Sequence, residues 1–284
     1  MIMQMGEQKT AVITGATGGI GKVVCKYLID NGYKILAACR SHEKGELMRN
    51  ELCNSSNSDN LVFIPLNLKS FASVKKFCSS VIESINETDG KINLLINNAG
   101  MIAPVYEVTE DGYESSMQVN YLSAKLITET LLPHIRGKII NTVSCTITSG
   151  SMQKIVKEPV AYNKKESSIK SLKFYSNSKL MLALYTIQLH RTLIDNKDIQ
   201  VYGIDPGIVN TGIITMHRWY DFLADIFFRP FIKTPEQGAL PVIMAIEYST
   251  NAATHSKDNK GPLLFIGKKI KSFPKKILKI DFLQ

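Results

Sequence analysis

Apolar residues along this chain follow two rhythms. Short runs rich in Val, Ile and Leu occupy residues 11–14, 34–39, 61–66, 92–97, 138–144, 199–204 and 263–266, without clean alternation of apolar and polar positions. A strand buried on both faces has that character, whereas a strand with one wet face alternates with period two. Between these runs lie longer amphipathic stretches at 19–31, 43–52, 71–85, 113–132, 175–193 and 235–247. Strand and helix in alternation imply right-handed crossovers and a parallel sheet. The expected fold class is α/β, one doubly wound parallel sheet of about seven strands with helices on both faces. No internal repeat or linker divides the chain, so residues 8–284 read as a single domain with substrate loops at 145–174 and 212–233. The Asn/Ser-rich stretch Asn54–Asn60 reads as a surface loop.

Composition narrows the class. With 284 residues, 44% of them hydrophobic, the chain can bury a substantial core. No apolar run is long enough for a spanning helix. The opening Met1-Ile2-Met3-Gln4-Met5 lacks the charged and apolar regions of a signal peptide. Cys25, Cys39, Cys53, Cys78 and Cys145 are scattered and odd in number, with no metal-ligand spacing, as expected for free thiols in a reducing cytoplasm. The net charge is +9, but residues 254–284 carry eight lysines against Asp258 and Asp281. The remainder is only slightly basic, which argues against a nucleic-acid face. The tail reads as solvated charge, with at most weak contact to anionic lipid.

Candidate chemistry begins after the first strand. Thr14-Gly15-Ala16-Thr17-Gly18-Gly19-Ile20-Gly21 closes that strand and opens the first helix. Glycines there let the backbone turn tightly against a pyrophosphate, and the helix start offers free N–H groups and a positive dipole end. This is the context of a Rossmann-type dinucleotide site. Further on, Tyr175 and Lys179 stand at i and i+4 and share one helix face. A phenol with an ordinary pKa near 10 is a poor acid or base at neutral pH. A neighbouring ammonium favours the phenolate and makes the pair useful in proton transfer. Ser144, at the end of the preceding strand, offers a hydroxyl to orient a carbonyl.

The spacing T-G-x-x-x-G-x-G resembles that of the short-chain dehydrogenases/reductases, and Asn97-Asn98-Ala99-Gly100 is similar to that family's N-N-A-G. Asn120, Ser144, Tyr175 and Lys179 match its Asn–Ser–Tyr–Lys tetrad in order. The resemblance covers roughly residues 8–267. It implies that Asn120 distorts its helix and holds a water relaying protons to Lys179. Lys179 would also hold the nicotinamide ribose, beside Tyr175. The resemblance further implies cofactor contacts from Gly15, Thr17, Gly18, Gly19, Ile20 and Gly21, and from Asn98, Ala99 and Gly100. Asn67 and Leu68, after the third strand, would face adenine, with Asn67 standing where the family often has Asp. Pro206, Gly207 and the Ile208 backbone would face nicotinamide, and Thr211 its carboxamide.

The second strand ends in Cys39-Arg40 with no acidic residue for a ribose 2′-OH. Arg40 can grip a 2′-phosphate, so NADP (as NADPH) is expected over NAD. The Cys39-Arg40 pair and the 30 residues between Ser144 and Tyr175 look like the retinol-dehydrogenase-like branch. That branch implies lipophilic alcohols, aldehydes and ketones, although the inserted Lys154–Lys173 stretch is basic. Trp219, Phe222 and Phe227, within an aromatic stretch after Thr211, are the expected pocket wall. The same stretch could instead lie on a membrane surface. The expected protein is a cytoplasmic oxidoreductase on a small-molecule carbonyl or alcohol, with a homo-oligomer as the family's habit and no nucleic-acid partner. The alternative is a catalytically silent dinucleotide sensor or scaffold. Such a protein would be expected to lose part of the tetrad, and this chain keeps all of it.

Overall fold

The structure is a computed structural model, and it describes residues 8–54, 57–103, 106–151, 168–209, 233–249 and 261–280. Its strands are β1 (Thr10–Ile13), β2 (Lys34–Cys39), β3 (Leu61–Pro65), β4 (Ile92–Asn97), β5 (Ile135–Thr142), β6 (Gln200–Asp205), β7 (Leu263–Ile266) and β8 (Lys269–Ser272). They form one sheet in the order β3-β2-β1-β4-β5-β6-β7-β8. The first seven pair in parallel, and β8 adds an antiparallel edge to β7.

Adjacent residues of the central strands feed opposite faces. Val12 packs into one apolar cluster while Ala11 and Ile13 pack into the other. Leu95 likewise faces away from Leu94 and Ile96. This two-sided burial is the reason the strands show no alternation in sequence. One face is covered by α1 (Gly19–Asp30), α2 (His42–Leu52) and α7 (Pro235–Glu247). The other is covered by α3 (Phe71–Asn86), α5 (Ser123–Leu131) and α6 (Ser168–Thr192).

Two details go beyond the expected pattern. The seven expected parallel strands are joined by an eighth, because part of the basic tail folds back as β8. All four residues of β8 are exposed, so neither burial nor alternation marked it in sequence. The helix expected over 113–132 is broken. A short α4 (Ser115–Met117) passes into a π turn (Gln118–Leu122) before α5 begins. Polar side chains decide this break. The Glu114 carboxylate caps the start, accepting from the N–H groups of Ser116 and Met117 at 2.8 Å each. Asn120 is bonded away from its own helix, as described below.

The sheet order reverses direction between β1 and β4. Ligands of open parallel sheets bind outside the carboxyl ends of the strands at such a point. The turn after β1 and the Asn98-Ala99-Gly100 segment after β4 both lie there. Among the described residues, no helix is long and apolar enough to cross a membrane.

Candidate active site

The β1–α1 turn is held by the segment after β4. The Thr14 hydroxyl accepts from the N–H groups of Asn98 and Ala99 at 3.1 Å each. The Asn98 carboxamide donates back to the carbonyls of Thr14 at 3.1 Å and Gly15 at 3.2 Å. Gly15 has φ +68°, and a Cβ placed on it would come within 2.9 Å of Ala99 Cα. A Cβ on Gly21 would lie 2.1 Å from the Gly15 carbonyl oxygen. Both positions therefore demand glycine. Gly18 caps α1 with no side-chain bond, and Thr17 and Gly18 are exposed while Ile20 is buried. The first N–H groups of α1 are free for an anion.

Asn97 anchors this edge from beneath. Its side-chain N–H₂ donates to Thr128 on α5 at 2.9 Å and to Asn141 on β5 at 2.8 Å. Asn141 in turn donates to Thr186 on α6 at 3.0 Å. The buried chain of amides and hydroxyls ties two strands to two helices directly below the site.

The four tetrad positions converge at the same edge. Ser144 follows β5 and Tyr175 and Lys179 lie on α6, while Asn120 sits in the π turn. The Asn120 side-chain oxygen accepts from Met101 N–H at 2.8 Å. Its amide donates to the Met101 carbonyl and the Ser178 hydroxyl, both at 2.9 Å. The side chain thus clamps the post-β4 loop to α6. All of the bonds its carboxamide makes among the described residues are to protein.

Lys179 is 2% exposed, and its ammonium donates to the Thr142 carbonyl at 2.7 Å. The same nitrogen lies 5.8 Å from the centre of the Tyr175 ring. A Cβ on Gly100 would stand 3.2 Å from this nitrogen and 3.5 Å from the Asn120 side-chain oxygen. Gly100 therefore leaves open the space that Lys179 and Asn120 both border.

Burial dominates the proton affinities. It pushes the Tyr175 phenol up to about 12, against a hydrogen bond from Ser144 that pulls down, while the Cys145 and Asp205 charges push further up. Burial pushes Lys179 down to about 8, and the Asp205 carboxylate opposes that fall. With desolvation the largest influence, Tyr175 holds its proton at neutral pH in the cofactor-free protein.

The other predicted contacts are placed as follows. Arg40 is exposed at the end of β2 and has no ion-pair partner among the described residues. The Asn67 side-chain oxygen accepts from Lys69 N–H at 3.1 Å. The Leu68 carbonyl accepts from Ser123 at 2.7 Å. Pro206, Gly207 and Ile208 follow β6, with the Ile208 side chain exposed. Thr211, Trp219, Phe222 and Phe227 lie outside the described residues, as does most of the 145–174 loop.

Sequence reasoning gave no role to three groups that border this site. Thr142 offers the carbonyl that holds Lys179. Asp205 is 5% exposed and is the counter-charge for that lysine. Lys233 donates to the Pro206 carbonyl at 3.0 Å. Asp205 had a legible signal, an acidic residue ending an apolar strand directly before Pro-Gly. Lys233 had none, being separated from its partner by 27 residues.

The residues present fit a nicotinamide dinucleotide. The glycine cradle admits backbone approach, α1 presents uncapped N–H groups, and the buried Lys179 borders Gly100 with its ammonium 5.8 Å from the Tyr175 ring centre. This arrangement defines an oxidoreductase acting on CH–OH donors with NAD(P). Residues 9–156 match the short chain dehydrogenase family. The chain is 30% identical to retinol dehydrogenase 11 of Homo sapiens over 244 residues, covering 81% of this chain and 70% of that one. It is 31% identical to polyprenol dehydrogenase of Mus musculus over 247 residues, covering 84% of this chain and 71% of that one. A solved structure from Mycobacterium paratuberculosis shares the fold, with TM-score 0.71 at 23% identity over 96% of this chain and 88% of that one. The chain belongs to the short-chain dehydrogenase family, in its retinol-dehydrogenase-like branch.

Proposed function

We propose that the protein is an NADPH-dependent carbonyl reductase acting on a lipophilic ketone or aldehyde, with Tyr175 as proton donor. The observation that carries this is the half-buried Tyr175 placed beside Ser144 and Lys179 at the carboxyl edge of the sheet, where desolvation favours its protonated form. When bound there, the dinucleotide supplies the hydride. Ser144 donates a hydrogen bond to the substrate carbonyl oxygen and orients it. Tyr175 passes its proton to the same oxygen as negative charge develops. Lys179 holds its ammonium near the Tyr175 ring and stabilises the phenolate left behind. Asn120 fixes Met101 against Ser178 and so shapes the wall along which a proton relay to Lys179 would run. In the reverse direction Tyr175 would act as the base and would first have to lose its phenol proton.

Arg40 supports NADPH over NADH, since an exposed guanidinium with no ion-pair partner among the described residues is available to a 2′-phosphate. The lipophilic substrate is supported by the aromatic residues after Thr211 and by the kinship with a retinol dehydrogenase and a polyprenol dehydrogenase. Free cysteines suit a reducing compartment, and a homo-oligomer is the arrangement we favour.

The test is absorbance at 340 nm on mixing the protein with ketones and aldehydes and either NADPH or NADH. Oxidation of NADPH by an apolar carbonyl supports the reading. Silence across the panel with both cofactors would favour a sensor. Arg40→Asp removes a phosphate clamp and adds an acceptor for the 2′-OH. A charge-assisted bond contributes about 1.5–3 kcal/mol, so NADPH affinity should fall roughly tenfold to a hundredfold. A wild-type preference for NADH would remove the role given to Arg40.

A further inference from the structure

We infer that Lys233 is a positioning residue that locks the Pro206–Gly207 peptide and thereby holds the nicotinamide half of the cofactor in register with Tyr175. The inference rests on the dinucleotide reading above. It starts from a single peptide unit gripped at both ends. The Lys233 ammonium donates to the Pro206 carbonyl at 3.0 Å. The N–H of Gly207, in the same peptide, donates to the Asp205 carboxylate at 2.9 Å. A cation on the carbonyl and an anion on the N–H both match the peptide's own dipole, so each bond is charge-assisted and both favour one orientation of the plane.

Proline followed by glycine with φ +75° already makes a tight turn. What such a turn lacks is resistance to rotation of its central peptide, because glycine accepts the backbone angles on either side of that rotation. Two opposed charges supply the resistance. The lysine stem closes the remaining space, since a Cβ on Gly207 would come within 2.8 Å of Lys233 Nζ and 3.1 Å of its Cε. The backbone of Lys233 is anchored at the same place. Its N–H donates to the Ile208 carbonyl at 2.8 Å, and Val209 and Lys233 form a parallel bridge. Val209 and Lys233 are therefore both held at the turn that faces nicotinamide in the proposed complex.

Lys233→Met keeps the stem over Gly207 and removes only the ammonium. The experiment compares dissociation constants for intact NADPH and for 2′-phospho-ADP-ribose, which lacks nicotinamide, together with kcat. The expected result for the variant is roughly tenfold weaker NADPH binding and a lower kcat, with fragment affinity within about twofold of wild type. The unchanged fragment affinity also shows that the variant has folded. Equal losses for both ligands would overturn the inference, since Lys233 would then act on the phosphates or on folding. No loss for either would overturn it too. If the wild type binds NADPH and the variant binds it equally well, only the latch falls. If the wild type binds neither NADPH nor NADH, the dinucleotide reading falls and the latch with it.

Discussion

In the proposed reaction Tyr175 is the proton donor. Replacing it by Phe removes one hydroxyl that matters only while a proton moves, so kcat should collapse with cofactor affinity nearly unchanged. Activity above about a tenth of wild type would show that another group supplies the proton. The pH dependence follows from its neighbour. Lys179 is charged below about 8, the value to which burial lowers it, and loses its proton as pH rises through that point. Since kcat/KM for the cofactor reports the free enzyme, its value in the reductive direction should fall above about pH 8. Asp205 is the group that favours the charged lysine. Asp205→Asn keeps an acceptor for Gly207 N–H but removes the charge, so the falling limb should move to lower pH. A profile that stays level to pH 9.5 in the wild type, or does not move in the variant, would contradict this assignment.

At the scale of elements, the site is only as well placed as the ends of the helices that border it. Helix α7 begins directly after Lys233 with a complete capping box. The Thr234 hydroxyl accepts from Gln237 N–H at 3.3 Å, and the Gln237 side chain accepts from Thr234 N–H at 3.1 Å. Such caps contribute about 1 kcal/mol. Thr234→Ala should lower stability by about that amount, read as a denaturant midpoint shift at unchanged m-value. A stability equal to wild type would mean that contacts along the helix, not its cap, fix its start. The π turn is the opposite case, a local departure from the helical pattern. Periodicity alone reads this stretch as part of one helix over 113–132, and only the family resemblance pointed to a distortion at Asn120, which the π turn bears out. What breaks the rhythm is Asn120 bonding to Met101 and Ser178, from two other parts of the chain.

For the whole molecule, the open question is what enters above Gly100. A pocket walled by apolar groups should reward chain length, since each buried CH₂ contributes about 0.8 kcal/mol. Lengthening a methyl ketone by three carbons should therefore raise apparent affinity by roughly one to two orders of magnitude. A flat kcat/KM across that series, or a preference for charged sugars, would count against a lipophilic substrate. The parallel sheet, the glycine turn and the Tyr175–Lys179 pair were legible in the chain because each rests on local spacing, whereas Asn120 joined them only through the family resemblance. An apolar run buried on both sides, a turn that tolerates only glycine, and an i,i+4 pair on one helix all carry their signature within a few residues. The eighth strand carried none, since an exposed edge strand rich in lysine has neither alternation nor burial to show. The proton affinities, the Asn120 clamp and the two-ended grip on the Pro206–Gly207 peptide were decided by tertiary structure alone. Each depends on how deeply a group is buried and on which charge is brought beside it. Those quantities are set by segments distant in sequence meeting at one edge of the sheet.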